Sequence, residues 1–165
     1  MAWTTPRDWV AGEVVTAAIM NTHVRDDFNY LKAQEDWAAV TFAAGNFTAN
    51  GAQTWTVASG DMLVNRYQVV GKTLRWQLGV NTSTVGGTPN TQLRATLPGS
   101  KLAASRSIGF ARVSDNGAAV VVSVWYAGAA GDSYIAFYTT VAASGNWAAA
   151  TDTTTVEAFI EIEIQ

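Results

Sequence analysis

The sequence contains no cysteine and only one histidine in 165 residues. The missing thiols exclude disulfides and thiolate metal sites. Any Ser-His-Asp or Cys-His catalytic device would have to use His23, and no Gly-x-Ser-x-Gly nucleophile elbow is present. We therefore predict that the protein is not an enzyme and that it has no catalytic residue, no metal site and no cofactor.

Charge is also scarce. Charged residues make up 14 % of the chain, against the usual quarter, and the formal net charge is -3. Residues 1–36 carry nine of the charges and the other 129 residues carry fourteen. There is no basic field to attract nucleic acid, so we expect no nucleic-acid partner. A β domain so poor in charge is typical of one that covers part of its surface with copies of itself.

Long apolar runs are absent as well. No stretch approaches the roughly 20 apolar residues of a membrane helix, so we expect no membrane insertion. Residues 1–10 include Trp3, Pro6 and Arg7 where a signal peptide would need an apolar core, so we expect no secretory signal.

The N-terminal part predicts a helix from about Thr16 to Lys32, with the Thr16 hydroxyl as its cap. At 100° per residue its apolar residues form one narrow stripe, as in a coiled-coil seam: Ala17, Met20, Val24, Phe28 and Leu31. A lone helix of this length is marginal in water, so it needs either its own β domain or the same helix of neighbouring subunits. Trp3 and Trp9 precede it, either packed on the chain's own core or serving as docking anchors.

After Trp37, short β-favouring runs alternate with turn residues. We predict strands near 38–43, 54–58, 62–70, 73–81, 92–97, 106–113, 118–126, 133–141 and 155–164. The clearest hairpin turn is Asp115-Asn116-Gly117. The chain is therefore predicted to be mainly β, with an N-terminal α-helix in residues 1–36 followed by an antiparallel β-sandwich or jelly-roll domain in residues 37–165.

The last predicted strand alternates cleanly between aliphatic and mostly acidic residues. Its aliphatic face should be buried, and Glu157, Glu161 and Glu163 should share a solvated face. Glycoside hydrolysis and calcium binding need carboxylates that converge from different segments, so this acidic row is better explained as surface.

Aromatic residues crowd the C-terminal half near glycine-rich turns. Four of them are candidates for a surface that stacks on sugar rings or anchors a protein partner: Trp125, Tyr126, Tyr134 and Trp147. The alternative is that they belong to the core or to a subunit interface. Strand alternation places Trp125 and Tyr126 on opposite faces.

Residues 3–28 read Trp-Thr-Thr-Pro-Arg-Asp-Trp-Val-Ala-Gly-Glu-Val-Val-Thr-Ala-Ala-Ile-Met-Asn-Thr-His-Val-Arg-Asp-Asp-Phe. This segment resembles the opening of a group of tailed-bacteriophage virion structural proteins, the head-fibre, tail-fibre and minor tail proteins. The similarity does not extend into the β domain. Seven residues match the motif: Trp3, Trp9, Glu13, Asn21, His23, Arg25 and Asp26.

The resemblance implies a virion component. Such a protein would be a homotrimer anchored to the capsid or the tail through its N-terminal segment, and its β domain would project as a knob for capsid decoration or host adsorption. The motif residues, together with Met20, Val24, Phe28 and Leu31 of the helix stripe, would form the attachment and assembly segment. The alternative is a receptor- or glycan-binding module of a tail fibre, whose partner is a host-surface glycan or protein.

Overall fold

The computed structural model describes Thr5 and residues 7–165. The chain divides into two units, residues 1–37 and residues 38–165. Trp3 lies outside the described residues, so its predicted role in attachment stays a prediction.

The first unit contains three consecutive helical stretches: an α-helical turn α1 (Ala17–Met20), a π-helical turn (Asn21–Arg25) and the α-helix α2 (Asp26–Glu35). Thr16 is extended, and its Oγ1 accepts the N–H of Ile19 at 3.3 Å. This side chain satisfies one of the donors that every helix start leaves free. The predicted helix and its cap are confirmed, and the helix runs three residues past Lys32.

The π-helical turn alters the predicted apolar stripe. The N–H of Asp26 donates to the carbonyl of Asn21, five residues back, instead of four. The 100° spacing assumed for a regular helix therefore fails between Asn21 and Arg25. The prediction of a stripe with one regular period from Ala17 to Leu31 is therefore wrong over this turn.

The second unit is a curled antiparallel sheet. Its strands within the described residues are β1 (Ala38–Ala39), β2 (Phe47–Ala49), β3 (Gln53–Thr56), β4 (Met62–Val70), β5 (Thr73–Gly87), β6 (Leu93–Thr96), β7 (Ser107–Ser114), β8 (Val121–Ala127), β9 (Tyr134–Phe137) and β10 (Ala150–Glu163). The order across the sheet is β1-β4-β5-β10-β7-β8-β9-β6-β2, and β3 pairs with β5 beside this path. The mainly β fold with an N-terminal helix is confirmed.

The sheet curls so that β2, at one end of the strand order, packs against β3, which pairs with β5 near the middle. Phe47 of β2 packs edge-on against Trp55 of β3, with ring centroids 5.2 Å apart, although β2 pairs with β6 and β3 pairs with β5. Trp55 also contacts Phe137 of β9, with ring centroids 6.3 Å apart. Large apolar side chains from one end and from the middle of the strand order therefore share one core, which makes the domain sandwich-like.

Two glycines extend a strand beyond its predicted end. Gly86 and Gly87 pair with Thr54 and Gln53, so β5 continues six residues beyond the predicted end of this strand at residue 81. Gly87 has a φ of +74°, and a Cβ there would lie 2.2 Å from the carbonyl oxygen of Ala52. Only glycine allows this close approach of the two backbones.

Trp55 and Trp147, two of the buried indoles in the core, have hydrogen-bond partners, whereas the buried Nε1 of Trp125 has none among the described residues. Trp55 Nε1 donates to Ser83 Oγ at 2.9 Å, and Ser83 Oγ donates to the carbonyl oxygen of Thr154 at 2.9 Å. Trp147 Nε1 donates to the carbonyl oxygen of Phe137 at 3.1 Å. These bonds remove the cost of burying the polar N–H groups and link distant strands.

The predicted hairpin and the predicted last strand are confirmed. Asn116 and Gly117 have φ angles of 49° and 68°, and the N–H of Ala118 donates to the carbonyl of Asp115 at 2.9 Å. In β10 the aliphatic residues at alternate positions from Val156 to Ile162 are buried, and Glu161 and Glu163 are exposed.

Candidate functional site

A groove of about 310 Å³ lies within the helical unit. Its lining combines apolar rings and branched chains with a few polar groups: Arg7, Trp9, His23, Val24, Asp27, Phe28 and Leu31. We call this the N-terminal groove. Trp9 is 49 % exposed, Phe28 65 % and Leu31 47 %, so each keeps about half or more of its surface open to solvent.

Glu13 shapes the segment that carries Trp9. Its carboxylate forms an ion pair with Arg7 and accepts the N–H of Val10 at 3.4 Å, and its own N–H donates to the carbonyl of Val10 at 3.0 Å. The Arg7 guanidinium lies 5.6 Å from the centre of the Trp9 ring. A turn through Gly12, whose φ is +82°, allows this return of the chain. Glu13 therefore acts on the groove through Arg7.

Two polar side chains from the helix enter the groove. His23 and Asp27 are four residues apart and both line it. Asp27 is 9 % exposed, and the Nδ1 atom of His23 is buried without a hydrogen-bond partner among the described residues. A buried ring nitrogen without a partner is costly in a finished core. This nitrogen is therefore a polar atom at the groove that no described residue satisfies.

The structure brings together half of the described residues predicted for attachment and assembly. Five of these ten line the groove: Trp9, His23, Val24, Phe28 and Leu31. Glu13 acts through Arg7, and Met20 and Asn21 do not line the groove. Arg25 and Asp26 do not line it either and pair with each other at 2.8 Å.

Sequence reasoning missed two lining residues, Arg7 and Asp27. A signal for Asp27 was present, because a carboxylate four residues after a histidine lies on the same helix side. No pattern pointed to Arg7, whose position depends on the turn at Gly12.

Two of the four predicted surface aromatics are in the core, and their prediction is wrong. Trp125 is 3 % exposed and Trp147 is fully buried. Trp125 lies directly against the backbone of Gly109, where a Cβ would come within 2.4 Å of the indole. Because Gly109 has no side chain, the Trp125 ring has room on the inner face of the sheet, and burying its large apolar surface there is favourable.

The other two, Tyr126 and Tyr134, are half-buried on the outward face of the sheet. The predicted alternation of Trp125 and Tyr126 is confirmed. Tyr126 is directly opposite Ala136 in β9, and Ala136 is opposite Arg94 in β6, so these three residues share one row.

A continuous set of aromatic and polar contacts follows this part of the sheet. The Arg106 guanidinium lies 5.4 Å from the centre of the Tyr126 ring, and the rings of Tyr126 and Tyr138 meet edge-on with centroids 5.4 Å apart. Gln92 Nε2 donates to the Tyr138 hydroxyl at 2.7 Å. We call Arg106, Tyr126, Tyr138 and Gln92, together with Arg94 and Tyr134, the tyrosine–arginine strip.

The strip continues from Gln92 to a second arginine, Arg94, and to Tyr134. Arg94 donates through Nε and Nη2 to Gln92 Oε1 at 3.0 and 2.6 Å, and its guanidinium lies 4.6 Å from the centre of the Tyr134 ring. Within the described residues, neither Arg94 nor Arg106 forms an ion pair.

The outward face also exposes large apolar residues on neighbouring strands. Five of them are each more than half exposed: Leu63, Ile108, Phe110, Val122 and Phe159. A second groove of about 310 Å³ runs between β4 and β10, with Leu63 and Phe159 in its lining. We call this area the apolar sheet face.

The acidic row of β10 is engaged by basic neighbours. Glu157 pairs with Arg112 and Glu161 pairs with Arg75, each at 2.8 Å. Among the described residues no group of three histidine, aspartate or glutamate side chains could hold a metal ion.

None of the helices in the described part of the chain is long and apolar enough to cross a membrane. Comparisons with protein-family models, with curated proteins and with solved structures found no match to this chain.

Proposed function

We propose that the protein is a bacteriophage virion structural protein, a homotrimer that attaches to the capsid or tail through its N-terminal segment and displays its β domain. The N-terminal groove is the observation that carries this proposal. A helix that leaves Phe28 65 % exposed and Leu31 47 % exposed beside an open groove is suited to contact another surface. The motif in residues 3–28 supports a virion as the setting.

Copies of the same helix are the occupants that this surface fits. Met20 is 44 % exposed and does not line the groove, so the helical unit has further apolar surface to place against another copy. Arg25 and Asp26 neutralise each other, so symmetric copies brought together here would not place unpaired like charges in contact. Apolar association also stabilises a helix that is marginal by itself.

The apolar sheet face supports association of the β domains. Single exposed apolar residues are ordinary, but here five large ones lie on β4, β10, β7 and β8, and Leu63 and Phe159 share one groove across β5. A patch of this kind marks an interface. The charges nearest to it, Arg112 and Glu157, are already paired within the chain. A second copy could therefore cover this face without an uncompensated charge.

The test is to place a charge on the helix. Phe28→Asp, or Met20→Asp, would bury a carboxylate without a partner in each copy, at a cost of about 3 kcal/mol or more per copy. We expect sedimentation velocity to show monomers where the unchanged protein is trimeric. Near-UV circular dichroism and thermal unfolding of the β domain should be unaltered.

Asn29→Asp is the matched control, because Asn29 is exposed on the same helix and does not line the groove. It adds the same charge one residue away and should leave the trimer intact. A monomeric unchanged protein at micromolar concentration, or a Phe28→Asp variant that stays trimeric, would contradict the assignment of the helix to assembly.

A further inference from the structure

We propose that the tyrosine–arginine strip is a binding site for the carboxylated sugars of an acidic polysaccharide. The strip contains three tyrosines, two arginines and one glutamine in unbroken contact. Tyr126, Tyr134 and Arg94 lie on β8, β9 and β6, and the other three residues lie next to strand ends: Tyr138 after β9, Gln92 before β6 and Arg106 before β7. This inference does not depend on the virion setting. It replaces the predicted site at Trp125 and Trp147, which are buried.

The two arginines supply the charge that such a ligand needs. A guanidinium has five N–H donors, and Arg94 uses two of them on Gln92. Its other three donors, and all those of Arg106, have no partner among the described residues. A planar guanidinium with free donors binds a carboxylate through two parallel hydrogen bonds, which are among the strongest in proteins.

The surrounding side chains hold these arginines in place. Arg94 is fixed between the Gln92 amide and the Tyr134 ring, and Gln92 is itself held by the Tyr138 hydroxyl. A donor set that is already oriented loses little freedom when a ligand arrives. The pairing of Arg94 with Gln92 instead of a carboxylate orients it without neutralising it.

The tyrosines supply the platform for a sugar ring. Tyr126, Tyr134 and Tyr138 are half-buried, so each is anchored and still has surface to offer. Ala136 lies between Tyr126 and Arg94 in the same row and adds no bulk between them. Aromatic rings with a polar edge suit a ligand that has an apolar ring face and hydroxyl groups around it.

The same observations disfavour single-stranded nucleic acid. That ligand needs a positively charged groove that follows a run of phosphates, and the strip has only two cations in a chain of net charge -3. Two guanidiniums, each lying against a tyrosine ring, fit spaced single carboxylates better than a continuous polyanion.

Isothermal titration calorimetry of the full chain tests the proposal. The probes are uronic-acid and sialic-acid oligosaccharides, each beside its neutral counterpart, the methyl-esterified oligosaccharide or the unsialylated sugar, and a single-stranded oligonucleotide. We expect binding of at least one acidic sugar and at least tenfold weaker binding of its neutral counterpart. Arg94→Gln and Arg106→Gln should each weaken binding about tenfold, as expected for the loss of a charge-assisted hydrogen bond.

Arg75→Gln is the control, because Arg75 is an outward arginine on β5 that pairs with Glu161 and is not part of the strip. It should bind like the unchanged protein. Saturation-transfer NMR adds a second readout: irradiation of the aromatic protons should reach the sugar ring protons, and this transfer should fall in Tyr126→Leu.

Four results would overturn the proposal. They are no binding of any acidic sugar, equal binding of the neutral counterparts, equal binding by the Arg94, Arg106 and Arg75 variants, and tighter binding of the oligonucleotide at the same residues. Thermal unfolding of each variant separates loss of the site from loss of the fold.

Discussion

Asp115 shows how a single side chain serves two parts of the β domain. It opens the turn between β7 and β8, and its carboxylate accepts the backbone N–H of Ala148 at 3.1 and 3.2 Å. Burial raises the pKa of Asp115 above its ordinary value, and the hydrogen bond from Ala148 opposes part of that rise. The folded protein therefore holds the Asp115 proton more tightly than the unfolded chain does.

This difference gives a pH dependence of known sign. Because the folded state binds more protons at Asp115, its carboxyl group lowers the stability of the fold as pH rises through the two pKa values. Asp115→Asn should remove this loss while keeping an oxygen for Ala148. Between pH 3 and pH 7, we expect the free energy of unfolding of the variant to rise relative to that of the unchanged protein by a few tenths of a kcal/mol. The difference is small because solvent screens a partly exposed group. Urea unfolding across that range measures it, and a gain of the opposite sign would contradict the prediction.

The sequence predicted which residues cap a helix or form a turn better than it predicted which side chains are buried. Thr16 as a cap and Asn116-Gly117 as a turn follow from local chemistry, and both are confirmed. The burial of Trp125 and Trp147 depends on partners more than ten residues away in the sequence, Gly109 for the first and Gln53 for the second, which donates to the carbonyl of Trp147 at 3.0 Å. No local pattern contains that information.

The pairing of β7 with β8 depends on the absence of a side chain at Gly109. Gly109 is opposite Trp125 in this pair, and a Cβ added to Gly109 would lie 2.4 to 2.7 Å from three atoms of the indole. The indole is enclosed by the core, so the ring has little room to retreat.

Gly109→Ala should therefore destabilise the domain by about 1–3 kcal/mol through overpacking. Gly45→Ala is the matched control, because nothing lies within 4 Å of a Cβ at that position and its φ is not positive. Denaturant unfolding followed by tryptophan fluorescence distinguishes the two variants. Equal stability of both would mean that Trp125 can shift and that the pairing of β7 with β8 tolerates it.

A regular alternation predicted part of a strand but not its full length. β10 ends one residue before its predicted end at 164, where its alternation is clean, but it begins at Ala150 instead of 155, because residues 150–154 pair with β5 through register shifts that leave no alternation. β4 has its predicted bounds, 62–70, although its burial does not alternate. β2 was missed because three residues are too few to show a period, and its partner Leu93–Ala95 is far along the chain. The sequence predicted the helix correctly. Its apolar stripe was predicted for a regular α-helix, and the π-helical turn interrupts that regular period.

For the whole molecule, the scarcity of charge determines how the proposed assembly responds to salt. Among the described residues, the ion pairs at the sheet surface and on the helix lie within one chain. The surfaces proposed to meet are apolar, so screening should not weaken them.

We expect the assembled mass to stay the same between about 0.1 and 1 M NaCl, although the Debye length falls from about 10 to about 3 Å over that range. Sedimentation equilibrium at both salt concentrations measures this. Dissociation at the higher concentration would show that charged contacts between copies, absent from the proposal, hold the assembly together.

The strand order has one more consequence for a protein that exists in many copies. The two ends of the sheet are β1, which pairs two residues with β4, and β2, which pairs three residues with β6. Unpaired strand edges are the usual starting points for aggregation, because they offer free N–H and C=O groups to another chain. β1 and β2 themselves offer few such groups, but β1 pairs with only two of the nine residues of β4, so β4 borders this end of the sheet over most of its length. When copies of the domain are crowded to high local density, this stretch of β4 is where the backbones of neighbouring copies would join first.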